Sequence, residues 1–166
     1  MANFSSYTAL SYINKMLDTL YKRDSILLQK KLNVTERAIT HRMGIYLQQI
    51  LTDEYDVDCE YNRMGQKMFG EVKYTDNDYF VKTVCLSQGS VPDADDNGSR
   101  VFPDIIVHKR GTANNHIIIE VKVDWKSSKA EHDILKLKAY KAELKYEVAF
   151  YIQLTEERKN VEIMEV

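Results

Sequence analysis

The 166-residue chain predicts a single α/β domain built on a mixed sheet, and three observations carry that prediction. Its first third has helical periodicity. Two runs rich in Ile and Val, residues 104–109 and 116–123, read as neighbouring strands. A further helical stretch is then followed by two more strand-like runs. Helices, strands, helix and strand in that order belong to an α/β or α+β domain, not to a bundle or a sandwich.

Taken in order, residues 7–21 are expected to be helical, and so are residues 24–32 with Asp24 as N-cap. The next helix spans residues 36–51 with Thr35 as its cap, and Ile39, Met43, Tyr46, Leu47 and Ile50 form its apolar stripe. Residues 56–62 alternate as a strand does, with Val57, Cys59 and Tyr61 on one face. A hairpin is expected over residues 67–86, turning at Asp76-Asn77-Asp78, and the Gly-, Asp- and Ser-rich residues 87–100 read as a mobile loop. The two Ile/Val runs are separated by the turn-prone Gly111-Thr112-Ala113-Asn114-Asn115. Their near-continuous apolar character suits central strands covered on both faces. The last helix is expected to start at Ser128, with Glu131 as capping-box partner and a stripe of Ala130, Ile134, Leu137, Tyr140 and Leu144. Lys136, Lys138, Lys141 and Lys145 are expected to face solvent. Residues 147–154 and 161–166 complete the sheet.

Composition narrows the class. With 44% hydrophobic and 29% charged residues the chain can bury a core. No apolar run approaches the roughly 20 residues that span a bilayer, and residues 1–10 lack the pattern of a secretory signal. No membrane partner is therefore expected. Cys59 and Cys85 are expected to be reduced thiols in a cytoplasmic protein. The net charge of −2 counts against a nucleic-acid partner, although a total says nothing about local faces.

The chemical signal lies where the Ile/Val strands meet charged residues. Pro103-Asp104 opens the first run, and Glu120-Val121-Lys122 stands near the end of the second. Residues two apart in a strand share a face, so Glu120 and Lys122 project together and a hairpin-like connection brings Asp104 beside them. Two carboxylates form a hard-oxygen site suited to Mg²⁺, with Mn²⁺ as substitute. A neighbouring lysine supplies positive charge where a phosphate builds negative charge, or assists deprotonation of water. Charged groups at the end of an Ile-Ile-Ile strand need partners or an ion. Glu36 starts the stripe that runs through Ile39, Met43 and Leu47, so it is expected to face the sheet and support the site.

On these residues the chain resembles the PD-(D/E)XK nuclease superfamily, the restriction-endonuclease-like fold. The likeness covers most of the chain: Glu36 opening a helix before the sheet, Pro103-Asp104 starting a core strand, Glu120-Val121-Lys122 ending the next, and Asp133-Ile134-Leu135-Lys136-Leu137 in the helix that follows. The resemblance implies an αβββαβ core, with a central mixed sheet flanked by helices and residues 1–35 as an N-terminal helical extension. It also implies Mg²⁺-dependent hydrolysis of phosphodiester bonds, with Asp104, Glu120 and the Val121 carbonyl as metal ligands. The expected substrate is nucleic acid, with DNA favoured, in defence, restriction or repair. A homodimer is one expected arrangement, because a short chain needs a second copy to cut both strands. The competing expectation is a non-catalytic nucleic-acid-binding or scaffold protein that keeps the fold.

Other signals are weaker. Glu71-Val72-Lys73 and Pro92-Asp93 repeat the motif letters, but neither has the strand, turn, strand and helix context. Asp93 to Gly98 matches the opening of a calcium loop, but its twelfth position is Asp104 where a Glu is expected. His108 shares a strand face with Asp104, and a hydrogen-bonded structural role is the simpler expectation. His41, His116 and His132 lack zinc spacing. Trp125 caps a core or stacks on a base.

Overall fold

The computed structural model describes residues 4–64, 80–81, 83–84, 94–95, 98–100, 102–126 and 130–166. The chain is an α/β protein whose main sheet has five strands. They are β1 (Asp56–Asp58), β2 (Ile105–His108), β3 (Asn115–Val123), β4 (Val148–Leu154) and β5 (Glu162–Glu165). Their spatial order follows their chain order. β2 is antiparallel to both β1 and β3, β4 is parallel to β3, and β5 is antiparallel to β4. The parallel step is bridged by a helix, as parallel neighbours require.

Among the described residues three α-helices cover the sheet: α1 (Ser6–Arg23), α2 (Glu36–Ile50) and α3 (Ala130–Leu144). Ser5 and Thr35 cap α1 and α2, their hydroxyls accepting from the Thr8 and Ala38 amides at 3.1 and 3.3 Å. On one sheet face, Ile105, Val107, Ile117, Ile119 and Val121 pack with α1 through Ile13, Met16 and Leu17 and with α2 through Ile39, Met43 and Leu47. On the other, Ile106, Ile118, Ala149 and Tyr151 meet Leu137, Tyr140 and Leu144 of α3. β3 is therefore buried on both sides, and only Lys122 within it is part-exposed. Among the described residues no helix is long and apolar enough to cross a membrane.

Several expected elements take a different form. Residues 24–32 are two 3₁₀ turns, Ser25–Leu28 and Lys30–Leu32, instead of a helix. Asp24 ends α1, and its carboxylate accepts from Arg42 at 2.9 Å and from the Tyr46 hydroxyl. A side chain committed to a tertiary ion pair is not available to cap the next turn. The strand expected over residues 56–62 stops at Asp58, because Glu60 takes a left-handed φ of 53°. Within the expected loop of residues 87–100, Ala94–Asp95 pairs antiparallel with Gly98–Arg100, in the register Asp95 to Gly98. Of the expected hairpin over residues 67–86, residues 67–79 with the turn at Asp76-Asn77-Asp78 lie outside the described residues, as do the Ser128 cap, Cys85, Glu71-Val72-Lys73 and Pro92-Asp93. Phe80–Val81 pairs antiparallel with Arg63–Met64, and Thr83–Val84 with Ser99 and Arg100.

One close packing yields a stability prediction. A Cβ built on Gly44 of α2 would stand 2.7 Å from Cys59 Sγ. That thiol forms no disulfide among the described residues, donates to the Thr40 carbonyl at 3.4 Å, and is pushed up to about 11 by burial and then by nearby Asp58. Gly44→Ala is expected to destabilise the protein by about 1 kcal/mol, overpacking outweighing the helix-propensity gain. In a Cys59→Ala background the same change is expected to stabilise by a similar amount. Urea unfolding of the four proteins checks it, and the same sign in both backgrounds would refute the contact.

Candidate active site

Asp104 and Glu120 are brought together by strand register. Ile105 pairs with Ile119, so Asp104 arrives beside Glu120, and Asp104 Oδ2 accepts from the Val121 amide at 2.8 Å. The approach to Asp104 is pinned from a distance: the Glu60 amide, in its left-handed conformation, donates to the Pro103 carbonyl at 2.9 Å.

Glu120 sits on the α3 face of the sheet and is 2% exposed. Burial first, and then the charge of Asp104, push its carboxyl up to about 8. Asp104 is raised as well, by burial, with the Val121 hydrogen bond opposing the shift. Glu120 Oε2 lies 3.2 Å from Lys136 Nζ, whereas its buried Oε1 has no hydrogen-bond partner among the described residues. The Tyr140 hydroxyl faces the same carboxyl without a hydrogen bond of regular geometry.

Lys122 and Glu36 also reach the cluster, as expected. Lys122 Nζ is 3.4 Å from Glu36 Oε2, and Glu36 Oε1 accepts from the Val123 amide at 3.4 Å. The N-terminus of α2 therefore meets the end of β3. Burial opposes the charge on Lys122, but Asp133, Glu36, Asp104 and Glu120 outweigh it and hold the ammonium above the usual lysine range. In the metal-free protein Lys122 is thus held as a cation by the carboxylates around it.

Two further members, Asp133 and Lys136, belong to the helix segment that carries the resemblance, but no role in the site was expected of them from the sequence. Asp133, 6% exposed on α3, lies 3.6 Å from Lys122 through Oδ2 and 3.1 Å from Lys136 through Oδ1. Lys136 was expected in solvent; instead it is drawn inward between Glu120 and Asp133, whose charges outweigh the burial that opposes its own. Lys141 is likewise tied down, donating to the Val166 carbonyl at 2.9 Å. The signal for Asp133 was present: spacings of four, three and four place residues 133, 137, 140 and 144 on one helical face. Glu120, Lys136, Asp133, Lys122 and Glu36 thus form one chain of alternating charge that joins β3, α3 and α2.

His108 is not part of this cluster. Its Nε2 is 2.8 Å from Asp58 Oδ2, and Arg110 grips the same carboxylate, which these partners hold below the usual range despite burial. It fastens β2 to edge strand β1. Trp125 packs at the margin of the core, as the simpler expectation had it.

Among the described residues no three His, Cys, Asp or Glu side chains are grouped so as to hold a metal ion. Ligation would use the Asp104 and Glu120 carboxylates with a backbone donor, and the Val121 carbonyl is the expected one. The unpartnered Glu120 Oε1 beside a second carboxylate fits that role, because a buried, unsatisfied acceptor is costly unless something binds it. Fold and site together define an α/β domain with a buried acid–lysine cluster at one end of its central strands. Comparison with family models, with curated proteins and with solved structures found no match.

Proposed function

We propose that the protein is a metal-dependent nuclease of PD-(D/E)XK type that hydrolyses phosphodiester bonds, with DNA as its expected substrate. The observation that carries this reading is the meeting of Asp104, Glu120 and Lys122 at the ends of two buried strands, with one Glu120 oxygen left without a hydrogen-bond partner among the described residues. The order α2, β1, β2, β3, α3, β4 agrees with the αβββαβ core that the resemblance implies. Asp104, Glu120 and the Val121 carbonyl would hold Mg²⁺ or Mn²⁺. The ion, when bound, supplies Lewis-acid charge and a more acidic water. Lys122 adds fixed positive charge where negative charge develops on the phosphate. Glu36 holds Lys122 and the Val123 amide in place.

The competing reading, a nuclease-fold protein without activity, is favoured by one feature. Lys136 already occupies one oxygen of Glu120 from within the chain. A cleavage panel of single- and double-stranded DNA and RNA separates the two. Mg²⁺ and Mn²⁺ are expected to support cutting, whereas Ca²⁺ supports binding with little turnover, because its 6–8 oxygen shell tolerates misaligned geometry. Glu71→Ala and Asp93→Ala are expected to retain activity. Loss of cutting in a folded Glu71 or Asp93 variant would move the site, and failure of every substrate and metal would leave the inactive reading.

A further inference from the structure

The nuclease reading uses one face of Glu120, yet the structure shows what holds the other. Glu120 Oε2 is engaged by Lys136 at 3.2 Å, and its partner oxygen Oε1 is buried without a hydrogen bond of regular geometry among the described residues, with the Tyr140 hydroxyl facing the same carboxyl. A carboxylate on a strand can rotate about its terminal bonds, and a metal ligand must not. Groups that orient a ligand from behind are commonly worth 10–100-fold in metal affinity or activity. Lys136 stands in that position, and it is anchored by Asp133 at 3.1 Å, one helical turn earlier on α3. The second oxygen of Asp133 lies 3.6 Å from Lys122. One buried carboxylate therefore sets two ammonium groups, one behind the expected metal ligand and one beside the expected phosphate.

We propose that Asp133 and Lys136 are positioning residues of this centre: Asp133 anchors Lys136, which holds Glu120 by Oε2 and presents Oε1 to a divalent cation. The proposal rests on the nuclease reading and assigns α3 a task that the Asp104/Glu120/Lys122 motif does not contain. It explains why Lys136, expected in solvent, is drawn inward between two carboxyl groups. It also makes a prediction opposite to simple electrostatics. Removing a positive charge beside a cation site should tighten cation binding by Coulomb's law alone. Removing a group that orients the ligand should weaken it.

Calorimetric titration of Mn²⁺ into the parent, Lys136→Met, Lys136→Arg and Asp133→Asn proteins tests this, with circular dichroism to verify folding. Lys136→Met keeps most of the apolar stem and loses the donor. It is expected to weaken Mn²⁺ binding by about 10–100-fold, and Lys136→Arg, which keeps charge and donors, to restore most of it. Asp133→Asn is expected to weaken binding in the same direction, and the Asp133→Asn/Lys136→Met double variant to fall no further than Lys136→Met, because both act through one chain. Losing the Asp133 charge weakens binding of a nearby cation by Coulomb's law as well, so Asp133→Asn counts through the double variant. Lys136→Gln, uncharged like Lys136→Met and expected to weaken Mn²⁺ binding likewise, decides the matter if Lys136→Met fails to fold. Unchanged or tighter Mn²⁺ binding in the folded Lys136→Met, Lys136→Gln or Asp133→Asn protein, with a parent that binds Mn²⁺ and cuts, would overturn the proposal and leave the nuclease reading standing. A parent that neither binds Mn²⁺ nor cuts would remove both.

Discussion

Asp104→Asn and Glu120→Gln are each expected to abolish metal-dependent cleavage while the protein stays folded. Asn retains an oxygen to accept the Val121 amide, and Gln retains one for Lys136, so the local hydrogen bonds survive. What disappears is the negative charge that would hold the ion. Metal-derived stabilisation of a transition state is worth several kcal/mol, so a loss of at least about a thousandfold follows at 1.36 kcal/mol per tenfold. Stability should move the other way for Glu120. Its folded carboxyl, pushed up to about 8 from an ordinary 4.5, binds its proton more tightly than in the unfolded chain. The metal-free parent therefore loses stability as pH climbs through that interval, whereas a glutamine there does not titrate. Glu120→Gln should be at least as stable as the parent, with the gap widening from pH 5 to pH 8. Cleavage rates and urea midpoints at several pH values check both claims. If both variants unfold near ambient temperature, the pair is structural and the nuclease reading fails.

Lys122→Ala carries the second large effect. The ammonium is not an expected metal ligand, so Mn²⁺ should still bind, but cutting should slow at least about a hundredfold, the scale of losing one stabilising group. The surroundings sharpen this expectation. Lys122 is held charged by Asp133, Glu36, Asp104 and Glu120, and it links α2 to α3 across the end of β3. Without it, Glu36 and Asp133 keep their other contacts, to the Val123 amide and to Lys136, which argues for a folded variant. Mn²⁺ titration alongside single-turnover rates for the two proteins decides the point. Equal rates would take Lys122 out of the mechanism.

Much of the fold was legible because burial leaves periodic traces. α2 runs over Glu36–Ile50 from its Thr35 cap, one residue short of the expected end, because an apolar stripe and a cap are both local properties. β2, β3 and β4 fall within two residues of their expected limits, since strands buried on both faces cannot hide their Ile and Val. Residues 24–32 were misread because Asp24 looks like a cap, and only Arg42 and Tyr46, distant in sequence, show what its carboxylate does. The strand at residues 56–62 was overextended because alternation gives no warning of a left-handed Glu60.

The candidate site divides along the same line. By itself the sequence determined that Asp104, Glu120 and Lys122 stand on adjacent strands, because alternation and a short turn leave few other arrangements. It also determined that Glu36 faces the sheet, from its place on the stripe of α2. Only the tertiary structure decided that α3 crosses this end of the sheet with Asp133 and Lys136 turned inward, and that His108 belongs to Asp58 and Arg110 instead. The reason is physical. A lysine carries a long apolar stem, and its charge settles wherever the nearest buried carboxylate lowers its energy more than water does. No pattern along one helix records where another strand has left a carboxylate.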